Sequence, residues 1–201
     1  MKQRLDLLKR MDWLLVGAML ALAVGSVFFV YSASYRGPDQ PMPSYYKMQI
    51  VWFGVGLAVY FMIALIDYRL ICQWATVWYV LAVGLLLLVL VAGAKVYGAR
   101  RWLGWGSFGI QPAEVAKLAL IVAVSYFLFH RTPEMRRRWP TVLWTLLIVG
   151  VPQLLIFAQP DLGSALILVP ISFGLMFVAG VRVKHLTVSA VAGVLLAAAV
   201  L

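Results

Sequence analysis

Three short stretches of this chain carry charge inside an otherwise apolar sequence. Arg100-Arg101-Trp102 lies in the glycine-rich run Lys95–Gln111, Glu114 and Lys117 follow it, and Asp161 sits in Gln159-Pro160-Asp161-Leu162-Gly163-Ser164-Ala165. Paired guanidiniums suit recognition of an anion, since arginine bonds phosphate through two parallel N–H groups. Trp102 and Trp105 have the amphipathic rings that anchor at lipid headgroups. Glu114 precedes Lys117 by three residues, which puts both on one face of a helix. Pro112 suits the first turn of that helix, and Glu114 can meet its positive end. At 1.5 Å per residue Lys117 lies roughly 8 Å below the helix start, where an ammonium needs a partner or a wet cavity. Ser125, two turns further on, extends this into a polar seam. Asp161 precedes a long apolar run and has the chemistry of an N-cap; a contact between Lys117 and Asp161 is expected if their helices are neighbours.

The elements that hold these residues are membrane spans. Of 201 residues 64% are hydrophobic and 12% charged, against roughly half and a quarter in soluble domains. Apolar runs at Trp13–Tyr31, Ile50–Ile66, Trp74–Ala94, Pro112–Phe129, Val142–Ala158, Leu162–Val181 and Leu186–Leu201 predict an all-α polytopic membrane protein. It has about six complete transmembrane helices and a truncated seventh. Segments of ten residues with alternating polarity, the mark of a membrane β-barrel, do not occur. The chain reads as one domain over residues 1–201, with residues 95–111 as an extracytoplasmic Gly/Trp/Arg loop. Trp13–Tyr31 is longer than a signal-peptide core and is read as a retained helix.

The net charge of +10 would suggest nucleic acid in a soluble protein; here it follows from basic loops on one side of a membrane. With the N-terminus inside, the inner loops hold eleven Lys and Arg, among them Lys2, Arg4, Lys9, Arg10, Arg131 and Arg136–Arg138, and the outer loops hold five. That bias predicts a cytoplasmic N-terminus and puts Arg100 and Arg101 outside, against the rule. The segment Arg36–Pro43 is a Pro/Gly connector, and Pro152 and Pro170 are expected to kink their helices. His130 and His185 lack metal-ligand spacing and are assigned plain interfacial roles. The lone Cys72 excludes an intrachain disulfide. No cofactor is evident, nothing supports a divalent cation, and neither a dinucleotide nor a P-loop motif is found.

Taken in order, G-A-R-R-W-L…G-I-Q-P-A-E-V-A-K (Gly98–Lys117) and Q-P-D-L-G-S-A (Gln159–Ala165) resemble the SEDS family of membrane proteins (RodA, FtsW and SpoVE). The flanking L-x-x-A-Q-P-D-L-G looks closer to the rod-shape branch, RodA. The resemblance implies a ten-helix inner-membrane glycosyltransferase. Such an enzyme polymerises peptidoglycan from lipid II on the outer face, in elongation and shape maintenance, beside a class B penicillin-binding protein. It implies that Arg101 and Trp102 match the family's outer-loop R-W, and that Glu114, Lys117 and Asp161 match a buried cluster lining the cavity. The lipid pyrophosphate would then rest on Arg100 or Arg101 and on Lys117, with Glu114 and Asp161 holding Lys117 charged and oriented. The resemblance also puts the catalytic aspartate beyond Leu201, so the chain as given is expected to be a fragment, inactive alone. Two alternatives come from the residues themselves: a flippase or transporter for a lipid-linked precursor, and a non-catalytic membrane scaffold. Polar groups gathered at helix ends rather than midway argue against the first.

Overall fold

The computed structural model describes residues 11–35, 44–96, 99–105 and 108–200. The basic residues Lys2, Arg4, Lys9 and Arg10 and the connector Arg36–Pro43 lie outside them. The described residues fall into two compact units that meet at Tyr68 and Arg69.

The first unit is a helix pair. α1 (Trp13–Ser34) is capped by Asp12, whose Oδ1 accepts from the backbone N–H groups of Leu14 and Leu15 at 3.0 and 3.2 Å. These are two of the donors that a helix start leaves unpaired. α2 (Tyr45–Ala64) begins earlier than the Ile50 expected from hydropathy. Its first turn carries Lys47 over the Tyr46 ring, 5.9 Å from the centroid; the long stem covers apolar surface while the ammonium reaches outward. Tyr31 and Tyr46 meet edge to face at 5.3 Å, and Gln49 Nε2 donates to Ser26 Oγ at 3.4 Å. The short helix α3 (Tyr68–Gln73) follows.

The second unit contains α4 (Ala75–Ala92), a small sheet, α5 (Pro112–Phe129), one turn α6 (Pro133–Arg136), α7 (Trp139–Phe157), α8 (Leu162–Val178) and α9 (Val183–Val200). α5 packs against α4, α7 and α8. Its inward stripe of Ala113, Ala116, Leu120, Val124 and Leu128 is buried. Small residues at the top of that stripe let helix backbones approach closely, which is how helices associate where water gives no drive. Leu86, Val142, Val149, Ile156, Leu168 and Met176 complete the core from the other helices. Outward residues such as Leu118, Leu154 and Val178 are apolar and exposed, as a lipid-facing surface requires. Among the described residues five helices are long and apolar enough to cross a membrane: α1, α2, α4, α5 and α7. α8 is apolar too, at 17 residues. The chain is a polytopic helical membrane protein.

The stretch read from sequence as a loop is an antiparallel meander, β1 (Ala94–Val96), β2 (Ala99–Trp105) and β3 (Phe108–Ile110), in the order β1-β2-β3. Lys95 pairs with Arg100 and Leu103 with Ile110, and a register shift falls between Ala94 and Lys95. Gly93 makes the turn from α4 into β1. A Cβ there would stand 2.3 Å from the Val89 carbonyl oxygen, so only glycine fits.

Candidate functional site

The C-terminus of α4, the sheet, the N-terminus of α5 and the α7–α8 turn converge at one end of the second unit. Arg101 on β2 joins the sheet to the α7–α8 turn. Its Nε donates to the Gln159 carbonyl at 3.3 Å, its Nη2 donates to the Pro160 carbonyl, and its Nη1 lies 4.0 Å from Asp161 Oδ1. Carbonyls at the end of a helix lack partners and carry negative partial charge, so a guanidinium is well matched to them. Arg101 has five donors, and its side chain is 36% exposed, which leaves N–H groups open to a ligand.

Asp161 is committed to structure. It is buried, its Oδ1 accepts from the Ser164 backbone N–H at 3.1 Å, and its Oδ2 accepts from Gln111 Nε2 at 3.1 Å. It therefore caps α8 and ties that cap to the residue before α5. Both of its oxygens are thus engaged within the protein.

Lys117 and Glu114 form their own pair, Nζ to Oε1 at 2.8 Å. The lysine side chain is 16% exposed and the glutamate 59%, so the cation is largely covered and the carboxylate faces outward. The contact expected between Lys117 and Asp161 is not the one formed: Asp161 bonds Gln111 and Arg101, and Lys117 bonds its own helix neighbour. Geometry decides this, because an i, i+3 partner is within reach of a flexible lysine without movement of any helix.

Arg100 reaches a different element. Its Nη1 donates to the carbonyls of Leu90 and Val91 at 3.2 and 2.7 Å, which caps the end of α4. Of the two guanidiniums, Arg101 is the one beside the Asp161 carboxylate. Trp102 is partly exposed and lies against Gly109, where a Cβ would stand 3.0 Å from the indole. The side chain of Trp105 lies outside the described residues.

Two residues absent from the sequence-derived set belong to this site. Gln111 links the α5 start to Asp161. Gln159 is 1% exposed, and its Nε2 donates to the Leu86 carbonyl at 3.2 Å, fastening the α7–α8 turn to α4. Both stand in the motifs that carry the family resemblance, flanking Pro112 and Pro160. A glutamine beside a proline at a helix boundary was the available signal. Ser125 lies at the other end, in a small cavity with Arg136 and Leu175, so it does not continue the seam from Lys117. His185 is buried against Trp139, ring centroids 4.3 Å apart, and its Nδ1 has no hydrogen-bond partner among the described residues; it is not the plain interfacial histidine expected. Also among the described residues, no group of three or more His, Cys, Asp or Glu could hold a metal.

A family model described as cell cycle protein (FtsW/RodA/SpoVE) matches residues 12–201. The chain belongs to that family. Among curated relatives, a probable peptidoglycan glycosyltransferase FtsW of Tolumonas auensis is 34% identical over 86% of this chain and 45% of its own length. The peptidoglycan glycosyltransferase RodA of Treponema pallidum is 33% identical over 84% of this chain and 39% of its own. Stage V sporulation protein E of Bacillus subtilis is 34% identical over 87% and 49%. The chain thus spans about half the length of the relatives it matches. Among solved structures, Thermus thermophilus RodA superposes with a TM-score of 0.75 at 33% identity, covering 93% of this chain and 60% of that one. A chain from a peptidoglycan synthase complex that coordinates polymerization and crosslinking gives 0.76 at 33%, covering 94% and 53%. Relatives from all three named branches match at nearly the same identity.

Proposed function

We propose that this chain is the phosphate-binding half of a peptidoglycan glycosyltransferase that polymerises lipid II on the outer face of the cytoplasmic membrane. The observation that carries the proposal is Arg101, fixed by the α7–α8 turn yet keeping open donors, within a segment 33–34% identical to named peptidoglycan glycosyltransferases. A pyrophosphate leaving group needs preorganised positive charge where negative charge develops. Arg101 supplies a planar fork that cannot lose its proton. Lys117, oriented by Glu114, is the second cation. Asp161 acts on Arg101 rather than on substrate.

The orientation proposed, with the N-terminus in the cytoplasm, rests on the excess of Lys and Arg in the inner loops. The partner proposed is a class B penicillin-binding transpeptidase, supported by the likeness to a chain of a complex that joins polymerization to crosslinking. Likeness to a rod shape determining protein favours a role in elongation. No step of the proposal calls on a cofactor.

The test uses the intact protein with its partner, purified and given labelled lipid II, with glycan strands resolved on a gel. Arg101→Lys is expected to keep the fold and the charge but lose the planar fork, cutting polymerisation about a hundredfold, the scale of removing one preorganised donor. Undiminished strand synthesis in that variant overturns the assignment. Lipid II crossing vesicles without polymerisation would put a flippase in its place.

A further inference from the structure

The opposite end of the second unit holds a cavity of about 380 Å³ between α4, α5 and α7, lined among others by Tyr79, Ala123, Phe127, His130, Arg131 and Ile148. Its walls are apolar and aromatic, and its basic residues, His130 and Arg131, follow the last turn of α5. We propose that this groove binds one anionic phospholipid, with the phosphodiester on Arg131 and an acyl chain along Tyr79, Ala123 and Ile148.

Charge is the first argument. The Arg131 guanidinium lies 4.7 Å from the centre of the Phe127 ring, and among the described residues it has no carboxylate partner. The carboxylate nearest in sequence, Glu134, is already engaged: it is hydrogen-bonded to Thr132 and drawn to Arg137 and Arg138. An aromatic ring under a guanidinium orders its plane and leaves the N–H edge free, and that edge matches a phosphodiester. Basic pockets between transmembrane helices bind anionic headgroups in this manner.

Size is the second argument. The cavity falls within the roughly 300–1,000 Å³ typical of ligand sites with apolar walls and few polar groups. Ala75 and Ala123 leave this room, because larger side chains there would fill it.

The test places the protein in phosphatidylcholine nanodiscs with and without phosphatidylglycerol and counts bound lipid by native mass spectrometry. Wild-type protein should retain one phosphatidylglycerol through detergent exchange. Arg131→Gln should retain it about fivefold less, the factor for one guanidinium near an anionic surface, whereas Arg137→Gln should match wild type. Ala123→Leu, which narrows the groove, should reduce retention as well, and inorganic phosphate should not displace the lipid. Melting curves identify any variant that fails to fold; should Arg131→Gln be one, Arg131→Lys replaces it and should retain less lipid than wild type. Equal loss in Arg131→Gln and Arg137→Gln, no loss in Ala123→Leu, or displacement by phosphate overturns the proposal.

Discussion

The hydroxyl of Tyr79 on α4 donates to the Ile148 carbonyl on α7 at 2.9 Å. Ile148 stands four residues before Pro152, the proline inside α7. Proline has no N–H, so the Ile148 carbonyl has lost its helical donor, and a neighbouring side chain replaces it as membrane bundles require. A defect in one helix thereby becomes a link between two.

Tyr79→Phe should lower stability by about 1 kcal/mol, the cost of leaving a half-buried acceptor unpaired, read as a lower melting temperature in detergent. Pro152→Ala restores the helical donor, so Tyr79→Phe should cost clearly less in that background. Equal cost in both backgrounds would show that the tyrosine acts by packing alone.

Arg136 performs a similar service at the α5 and α8 ends. Its Nε donates to the Arg131 carbonyl at 2.8 Å, its Nη1 to Ala179 at 3.2 Å and its Nη2 to Phe129 at 3.4 Å. Arg136→Ala frees three terminal carbonyls and should cost about 2 kcal/mol. Arg136→Lys should recover less than half of that, because one ammonium cannot span three directions. Full rescue by lysine in a thermal melt would rule out the clamp.

The spans were legible in sequence because apolar length alone decides them, and α5 and the cap at Asp161 followed from Pro112 and from a short acidic residue before an apolar run. The sheet was not read, since glycines at 98, 104, 106 and 109 suggest a loop. The available hint was Trp105-Gly106-Ser107-Phe108, a two-residue connection of hairpin type. Arg100 and Arg101 look alike in sequence, yet alternation along a strand sends neighbours to opposite faces. One therefore reaches the end of α4 and the other the α7–α8 turn. Topology put Arg101 and Asp161 at one end of the bundle; their contact depends on packing that no local pattern encodes.

Glu134 offers a pH test outside the membrane. Its own backbone N–H first, and the Thr132 hydroxyl next, hold its carboxyl below the usual value, with Arg137 and Arg138 adding to this. A lowered folded value means that the associated stabilisation is present above the unfolded value and is lost as pH falls through the folded one. Carbon NMR of labelled glutamate should place its midpoint below 4.5, and Thr132→Ala should raise it. A midpoint unmoved by Thr132→Ala would show that the hydroxyl contributes nothing.

Asp161 and Arg101 should couple in stability. Asp161→Ala removes the α8 cap, worth about 1 kcal/mol, and strands both Arg101 and the Gln111 amide, for a total of about 3 kcal/mol. Asp161→Asn keeps a capping oxygen and should cost less. In a double-mutant cycle, Arg101→Ala should cost less on the Asp161→Ala background than alone. Additive losses would mean that the 4.0 Å pair has no energetic weight and that Arg101 is held by the carbonyls only.

Lys117 and Glu114 should separate stability from function. Glu114 is exposed, so Glu114→Gln should shift melting by less than about 0.5 kcal/mol. If the pair orients a cation for the leaving pyrophosphate, Glu114→Gln in the intact enzyme should still slow polymerisation of lipid II about tenfold, mostly in kcat. Lys117→Ala should slow it about a hundredfold, and Lys117→Arg should restore part of the rate because charge is kept while its position changes. Were Glu114→Gln and Lys117→Ala both to leave kcat intact, the pair would be a membrane-depth ion pair that stabilises α5, and the phosphate would have to be met by Arg101 alone.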